Sequence, residues 1–181
     1  MRFLFAILII ANLAVIIPGN VYAQKGWKTY TVENEYSFNF PSSSWELIEK
    51  KNRFSYDVTL ENYEGETAVI TFIHGPEYHY LYRGSIDSIG TMKSLQHDDL
   101  SIFESGSDKY VINNQTAPYV ISTYTQTDPY KEVAVLTIAI SLEGNNTVIA
   151  EYYTVQNDFD KHLGDAEKIF QSIKPVNHSA Q

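Results

Sequence analysis

Along residues 130–155, YKEVAVLTIAISLEGNNTVIAEYYTV, apolar positions recur at every second residue. Ala134, Leu136, Ile138, Ile140 and Leu142 fall on one side. Val133, Val135, Thr137, Ala139 and Ser141 fall on the other, which is a strand with one bulky and one smaller face. After a polar Glu143-Gly144-Asn145-Asn146 turn, Val148, Ala150, Tyr152 and Thr154 alternate against Thr147, Ile149, Glu151, Tyr153 and Val155. This pattern predicts a long antiparallel hairpin at the middle of a sheet, apolar enough to need cover on its bulky face. The predicted cover is a helix from Asp158 to Lys174. Phe159, Leu163, Ala166, Ile169, Phe170 and Ile173 form a stripe spanning about 120° of its circumference, and Pro175 stops it.

The same alternation predicts strands over Trp27–Val32, over Tyr36, Phe38 and Phe40, over Phe54–Glu61 and over Thr67–His74, with Trp45 opening the segment WELIEKK between the second and third. Ser85 is placed to cap a short helix reaching His97, although Ile86, Ile89, Met92 and Leu95 step by three and drift around it. Leu100–Glu104 and Lys109–Ile112 read as two strands about a Gly106-Ser107-Asp108 turn. Asn113-Asn114 is a further turn, and Ala117–Thr127 a Tyr- and Thr-rich strand leading into the central hairpin.

The N-terminus departs from this pattern. Arg2 precedes an apolar run from Phe3 to Ile17, interrupted only by Asn12 and broken by Pro18-Gly19-Asn20. Val21-Tyr22-Ala23 then offers small or tolerated residues where a signal peptidase reads. Residues 1–23 are expected to be a secretory signal peptide, leaving 24–181 as one domain with its core in about 27–175. The rival is an uncleaved anchor, for which the run is short of the roughly 20 apolar residues of a spanning helix. The expected location is secreted or extracytoplasmic, in the cell envelope.

The 181-residue chain is 44% hydrophobic and 19% charged, a globular composition. It holds no cysteine, which excludes disulfides, thiolate metal sites and a cysteine nucleophile. The net charge of −9 gives no counterion-release gain on a phosphate backbone, so nucleic acid is not an expected partner. No phosphate-binding glycine pattern or nucleophile elbow occurs. His74, Glu77 and His79 in HGPEYH have no helical spacing and lack a further ligand for zinc. His97-Asp98-Asp99 reads as an acidic helix end. No catalytic residue, metal or cofactor is assigned.

Two surface features remain. Tyr78, His79, Tyr80, Tyr82 and Arg83, in GPEYHYLYRG, combine large contact area with polar tips and are the candidate partner-binding residues. Their alternation also suits a packed strand. Asn114, Asn145 and Asn177 begin glycosylation-type sequons at predicted turns or the tail.

An aromatic strand closing on Pro and then Trp (Tyr36, Phe38, Phe40, Pro41, Trp45), an antiparallel central sheet, and a terminal helix ending in Ile169, Ser172 and Ile173 resemble the PsbP-like family over about Trp27–Pro175. That fold is shared by the photosystem subunit PsbP and a Ran-binding nuclear import factor. The resemblance implies an α+β chain, an α/β/α sandwich around a central antiparallel sheet, and a non-catalytic binding or assembly role. The plant member's metal-binding residues have no counterparts that align here. An exported binding module acting on another envelope or extracellular protein is therefore expected. Its alternatives are a carrier of a small apolar ligand between sheet and helix, and a hydrolase with a scattered carboxylate site. Oligomeric state is not set by these features, and membrane contact is expected only through residues 1–23 if they are retained.

Overall fold

In the computed structural model, residues 26–33, 35–51, 56–63, 68–74, 86–142 and 146–176 are described. In chain order the elements are β1 (Trp27–Val32), β2 (Tyr36–Pro41), β3 (Trp45–Lys51), β4 (Tyr56–Asn62), β5 (Val69–His74) and α1 (Ile86–Gln96). They continue with β6 (Ser101–Ile112), β7 (Gln115–Thr127), β8 (Tyr130–Ser141), β9 (Thr147–Val155), a single 3-10 turn, α2 (Phe159–Gln171) and β10 (Lys174–Pro175). Seven strands form one sheet in the order β3-β4-β5-β9-β8-β7-β6, and β1-β2-β10 form a second. Every pairing is antiparallel.

The expected hairpin is β8–β9, and β9 is the middle strand of the seven. Its register sets Leu136 opposite Tyr152, Ile138 opposite Ala150 and Ile140 opposite Val148, so the bulky side chains share one face. On that face they are buried with Ala166, Ile169 and Phe170 of α2 and with Tyr36, Phe38 and Phe40 of β2. Phe38 stacks on Phe72 at 4.4 Å, and Phe170 meets the edge of Phe72 at 6.2 Å. The Tyr152 hydroxyl donates to the carbonyl of Phe159 at 2.8 Å, tying the central strand to the start of α2. Phe159 and Leu163 pack at the margin of this core.

The helix ends earlier than its periodicity predicts. The Ser172 hydroxyl lies 2.6 Å from the carbonyl of Ile169 and accepts the backbone N–H of Asn39 at 2.8 Å. Lys174 and Pro175 then pair with Ser37 and Tyr36 of β2. A tertiary strand pairing thus takes residues whose local pattern suits a last helical turn.

The second correction concerns β6. Residues 101–112 are one strand, not two strands about a turn. The Gly-Ser-Asp triplet is absorbed by the register shift between Gly106 and Tyr110, and an earlier shift between Ile102 and Glu104 takes up Phe103, which is how a strand accommodates extra residues without reversing. Tyr119 of β7 lies across Gly106 and donates to Glu104 at 2.6 Å, bridging the irregular stretch. Asn113 and Asn114, at φ 54° and 61°, make the two-residue loop into β7, as the left-handed tolerance of Asn permits.

Helix α1 packs against β6 and β7 on the sheet face opposite α2. There Ile89 is buried with Val120, Ala139 and Ile149. Among its described side chains, Ile89 and Lys93, at i and i+4, are buried against the sheet.

Candidate functional site

The face beneath α1 is assembled by strand register. Val120, Ser122 and Tyr124 of β7 lie opposite Thr137, Val135 and Val133 of β8. Those lie opposite Glu151, Tyr153 and Val155 of β9, and Glu151 and Tyr153 lie opposite Thr71 and Val69 of β5. Small and β-branched residues line most of this surface. Glu151 is the one charged residue in β9, TVIAEYYTV.

Its partner comes from the helix. Lys93 Nζ sits 2.6 Å from Glu151 Oε1, with both side chains largely buried. The Thr137 hydroxyl donates to the same carboxylate at 3.4 Å. One turn beyond Lys93, the His97 ring stacks face to face on Tyr124, 3.6 Å between centroids and 11° from parallel. Burial lowers the His97 imidazole below its ordinary pKa, with the Lys93 charge adding to this and Asp99 and Glu151 opposing it. Asp99 accepts the backbone N–H of Thr125 at 2.9 Å, fixing the segment after α1 on β7, and the Thr125 hydroxyl together with that N–H lowers the Asp99 pKa.

Beside this cluster the face opens into a hollow of about 130 Å³. Tyr124, Tyr153, Val69 and Val133 line it, with Gln126 and Lys131. Burial raises the pKa of both tyrosines, so both present neutral hydroxyls at physiological pH. The Tyr153 hydroxyl also lies 3.3 Å from Thr71 Oγ1. Chemically the hollow offers two aromatic walls, an aliphatic base, an amide and one ammonium. Such a lining can hold a flat or branched apolar group that ends in an acceptor.

Of the residues singled out in the sequence, Tyr78, His79, Tyr80, Tyr82 and Arg83 lie outside the described residues, as do Glu77, Asn145, Asn177 and the 1–23 segment. Asn114 is described, exposed at its turn and two residues before the exposed Thr116. His74 is half-buried, its ring 5.7 Å from that of Tyr36. Among the described residues no three His, Asp or Glu side chains group as metal ligands. Sequence reading passed over Lys93, Glu151, Tyr124 and Tyr153. A charge in the most apolar hairpin of the chain, and a lysine four residues after Ile89, were the available signals.

No family model and no curated protein matches the chain. Solved structures do. A Bacteroides thetaiotaomicron protein superposes with a TM-score of 0.56 at 12% identity, over 85% of this chain and 50% of that one, so this chain spans half its length. The solution structure of cyanobacterial PsbP from Synechocystis superposes with a TM-score of 0.55 at 11% identity, over 87% of this chain and 96% of the other. The fold is PsbP-like. LpqN of Mycobacterium tuberculosis, described as involved in cell envelope biogenesis, gives a TM-score of 0.48 at 11% identity, over 83% of this chain and 92% of LpqN. Among the described residues, the α1 face combines buried charge, stacked rings and an open hollow.

Proposed function

We propose that this PsbP-like protein is an exported, non-catalytic binding or assembly module, and that its partner is another envelope or extracellular protein. In this reading residues 1–23 direct export and are removed, and α1 and α2 complete an α/β/α sandwich. The hollow between Tyr124 and Tyr153 carries the proposal. Pockets for free small molecules span roughly 300–1,000 Å³, whereas this one measures about 130 Å³. It fits one anchoring side chain of a partner. Tyr is enriched among the residues that dominate protein interfaces, and the Lys93–Glu151 pair ties α1 to the strand beside the hollow. The carrier alternative needs space between sheet and terminal helix. Among the described residues that space holds Phe38, Phe72, Phe170, Ala166 and Ile169, all buried. Asn114, exposed on its turn, is accessible for modification in a host that glycosylates.

The test is cross-linking in the native envelope followed by mass spectrometry, with the parent, Tyr124→Ser and Lys131→Glu compared. The variants should stay folded and lose the parent's cross-linked partner. Full retention of that partner by both would remove the hollow from consideration. N-terminal sequencing of the same material should begin at Gln24, and a start at Met1 would contradict removal of the leader.

A further inference from the structure

The hollow beside α1 changes character along its strands. Tyr124 and Val133 lie opposite each other on β7 and β8, and Gln126 and Lys131 form the next rung on the same face. Two residues of strand, about 6.5 Å, separate the rungs. Tyr153 and Val69, opposite each other on β9 and β5, complete the apolar part. One end of the hollow is therefore aromatic and aliphatic, and the other holds an amide and an ammonium. Charge is arranged in the same sense. Among the described residues Lys131 is the one charge in the lining, half-buried, and no carboxylate forms an ion pair with it. The carboxylates that act on the Tyr153 hydroxyl are Glu151 and Glu61. Glu61, exposed on β4, shares the rung of Val69 and Tyr153, and Glu151 lies on the rung beyond, so both stand away from Lys131.

Resting on the reading of the hollow as the seat of one anchoring side chain, we propose that the anchor is the C-terminal residue of the partner protein, with a branched or aromatic side chain between Tyr124 and Tyr153 and its α-carboxylate on Lys131. A terminal residue carries its carboxylate on the same Cα as the anchoring side chain, so one residue spans both rungs. An internal acidic residue next to the anchor would point to the opposite face of an extended segment, away from the hollow. Gln126 Nε2 donates to the carbonyl of Asp128 at 2.9 Å, and its amide oxygen is then the group that accepts the backbone N–H of the terminal residue. The three groups such a residue presents thus each have a counterpart: apolar walls, an ammonium and an acceptor. The bond between ammonium and carboxylate is of the charge-assisted kind, roughly twice as strong as a neutral one. A basic anchor would set two ammonium groups together, and a C-terminal amide would leave Lys131 without an anion.

The test uses the full-length protein and four N-acetylated peptides. They are GSGSGL with a free C-terminal carboxylate, GSGSGL with a C-terminal amide, GSGSGS with a free carboxylate, and amidated GSGLDS, which carries an apolar–acidic pair internally. Binding is followed by NMR shifts of the Tyr124 and Tyr153 rings. The GSGSGL acid should bind, and the other three should bind about tenfold or more weakly, since each loses the apolar anchor or a hydrogen bond to a charged group. In Lys131→Met, which keeps an aliphatic stem and should melt with the parent, the GSGSGL acid and amide should bind alike. Failure of the GSGSGL acid to bind, equal binding of acid and amide by the parent, tighter binding of GSGLDS, or an acid preference that survives in Lys131→Met would each overturn the proposal. The hollow as a partner's seat is judged apart from this. A native cross-link lost in Tyr124→Ser, together with no preference for the acid peptide, would refute the terminal anchor and keep the hollow.

Discussion

The ammonium of Lys93 and the carboxylate of Glu151 meet at 2.6 Å across the junction of α1 and the central strand β9. Burying two charges costs several kcal/mol per ion, and their attraction offsets this only while both are present. Lys93→Met should therefore destabilise by about 3–5 kcal/mol, because Glu151 is left buried and unpaired. Lys93→Met combined with Glu151→Leu should recover most of the loss, since well-packed apolar replacements are often neutral. Urea unfolding of the two singles and the double decides it. Small, additive losses would mean the pair is effectively solvated.

The opposite face should answer to ordinary core rules. Leu136→Ala or Ile138→Ala should cost about 2–5 kcal/mol, and Phe170→Ala about 3–5 kcal/mol. On the helical wheel Glu167 looks like a solvent position, but it accepts the hydroxyl of the buried Tyr110 at 2.8 Å. Glu167→Ala should accordingly cost about 1–3 kcal/mol, while Lys168→Ala at an exposed position should stay within about 0.5 kcal/mol. Equal denaturation midpoints for Glu167→Ala and Lys168→Ala would show that the Tyr110 bond adds nothing.

The contrast between Glu167 and Phe170 marks where sequence reading stops. Alternation in β8 and β9 exposed the central hairpin because a fixed period sorts its bulky side chains from its smaller ones. The stripe on α2 was legible for the same reason, from Ala166, Ile169 and Phe170. Ser172 and Lys174 were not, because β2, more than a hundred residues earlier, supplies the groups that end the helix. Gly106-Ser107-Asp108 carries turn chemistry locally, yet Tyr119 from the next strand holds it extended. Lys93 and Glu151 each look like surface charges alone and become a buried pair only when α1 crosses β9. The α1 face was hidden from one-dimensional patterns, since register across four strands assembles it.

His97 should make stability depend on pH below neutrality. Its pKa is lowered in the folded state, first by burial and then by Lys93. Above the ordinary value of about 6.5 both folded and unfolded forms are neutral, and no stability is lost. Below it the unfolded chain binds the proton more readily, so stability falls as pH drops. The urea midpoint should decline as pH falls through about 6.5, and His97→Gln should reduce that decline. An unchanged slope in the variant would place the proton uptake elsewhere.

Gly106 and Tyr119 should be coupled. They are opposite in the β6–β7 register, and a Cβ on residue 106 would come within 3.0 Å of Tyr119 Cε1 and 3.1 Å of its hydroxyl. The ring has little freedom to retreat. Its hydroxyl is held by Glu104 at 2.6 Å, and Tyr110 meets it edge-on at 5.0 Å. Gly106→Ala should therefore cost about 1–3 kcal/mol, the range for forcing extra atoms into a packed site. In a Tyr119→Ala background the same change should be close to neutral, which a double-mutant cycle measures directly. A second readout is independent of stability. Donation to Glu104, with burial, pushes the Tyr119 pKa up to about 12. Because the unfolded phenol ionises near 10, folded stability should fall as pH rises from about 10 toward 12. If Gly106→Ala displaces the ring, tyrosinate absorbance should show one group titrating closer to 10 than in the parent, before unfolding begins. Additive energies together with an unmoved titration would mean that Tyr119 accommodates a side chain at 106, and that the glycine is not what lets β6 run unbroken.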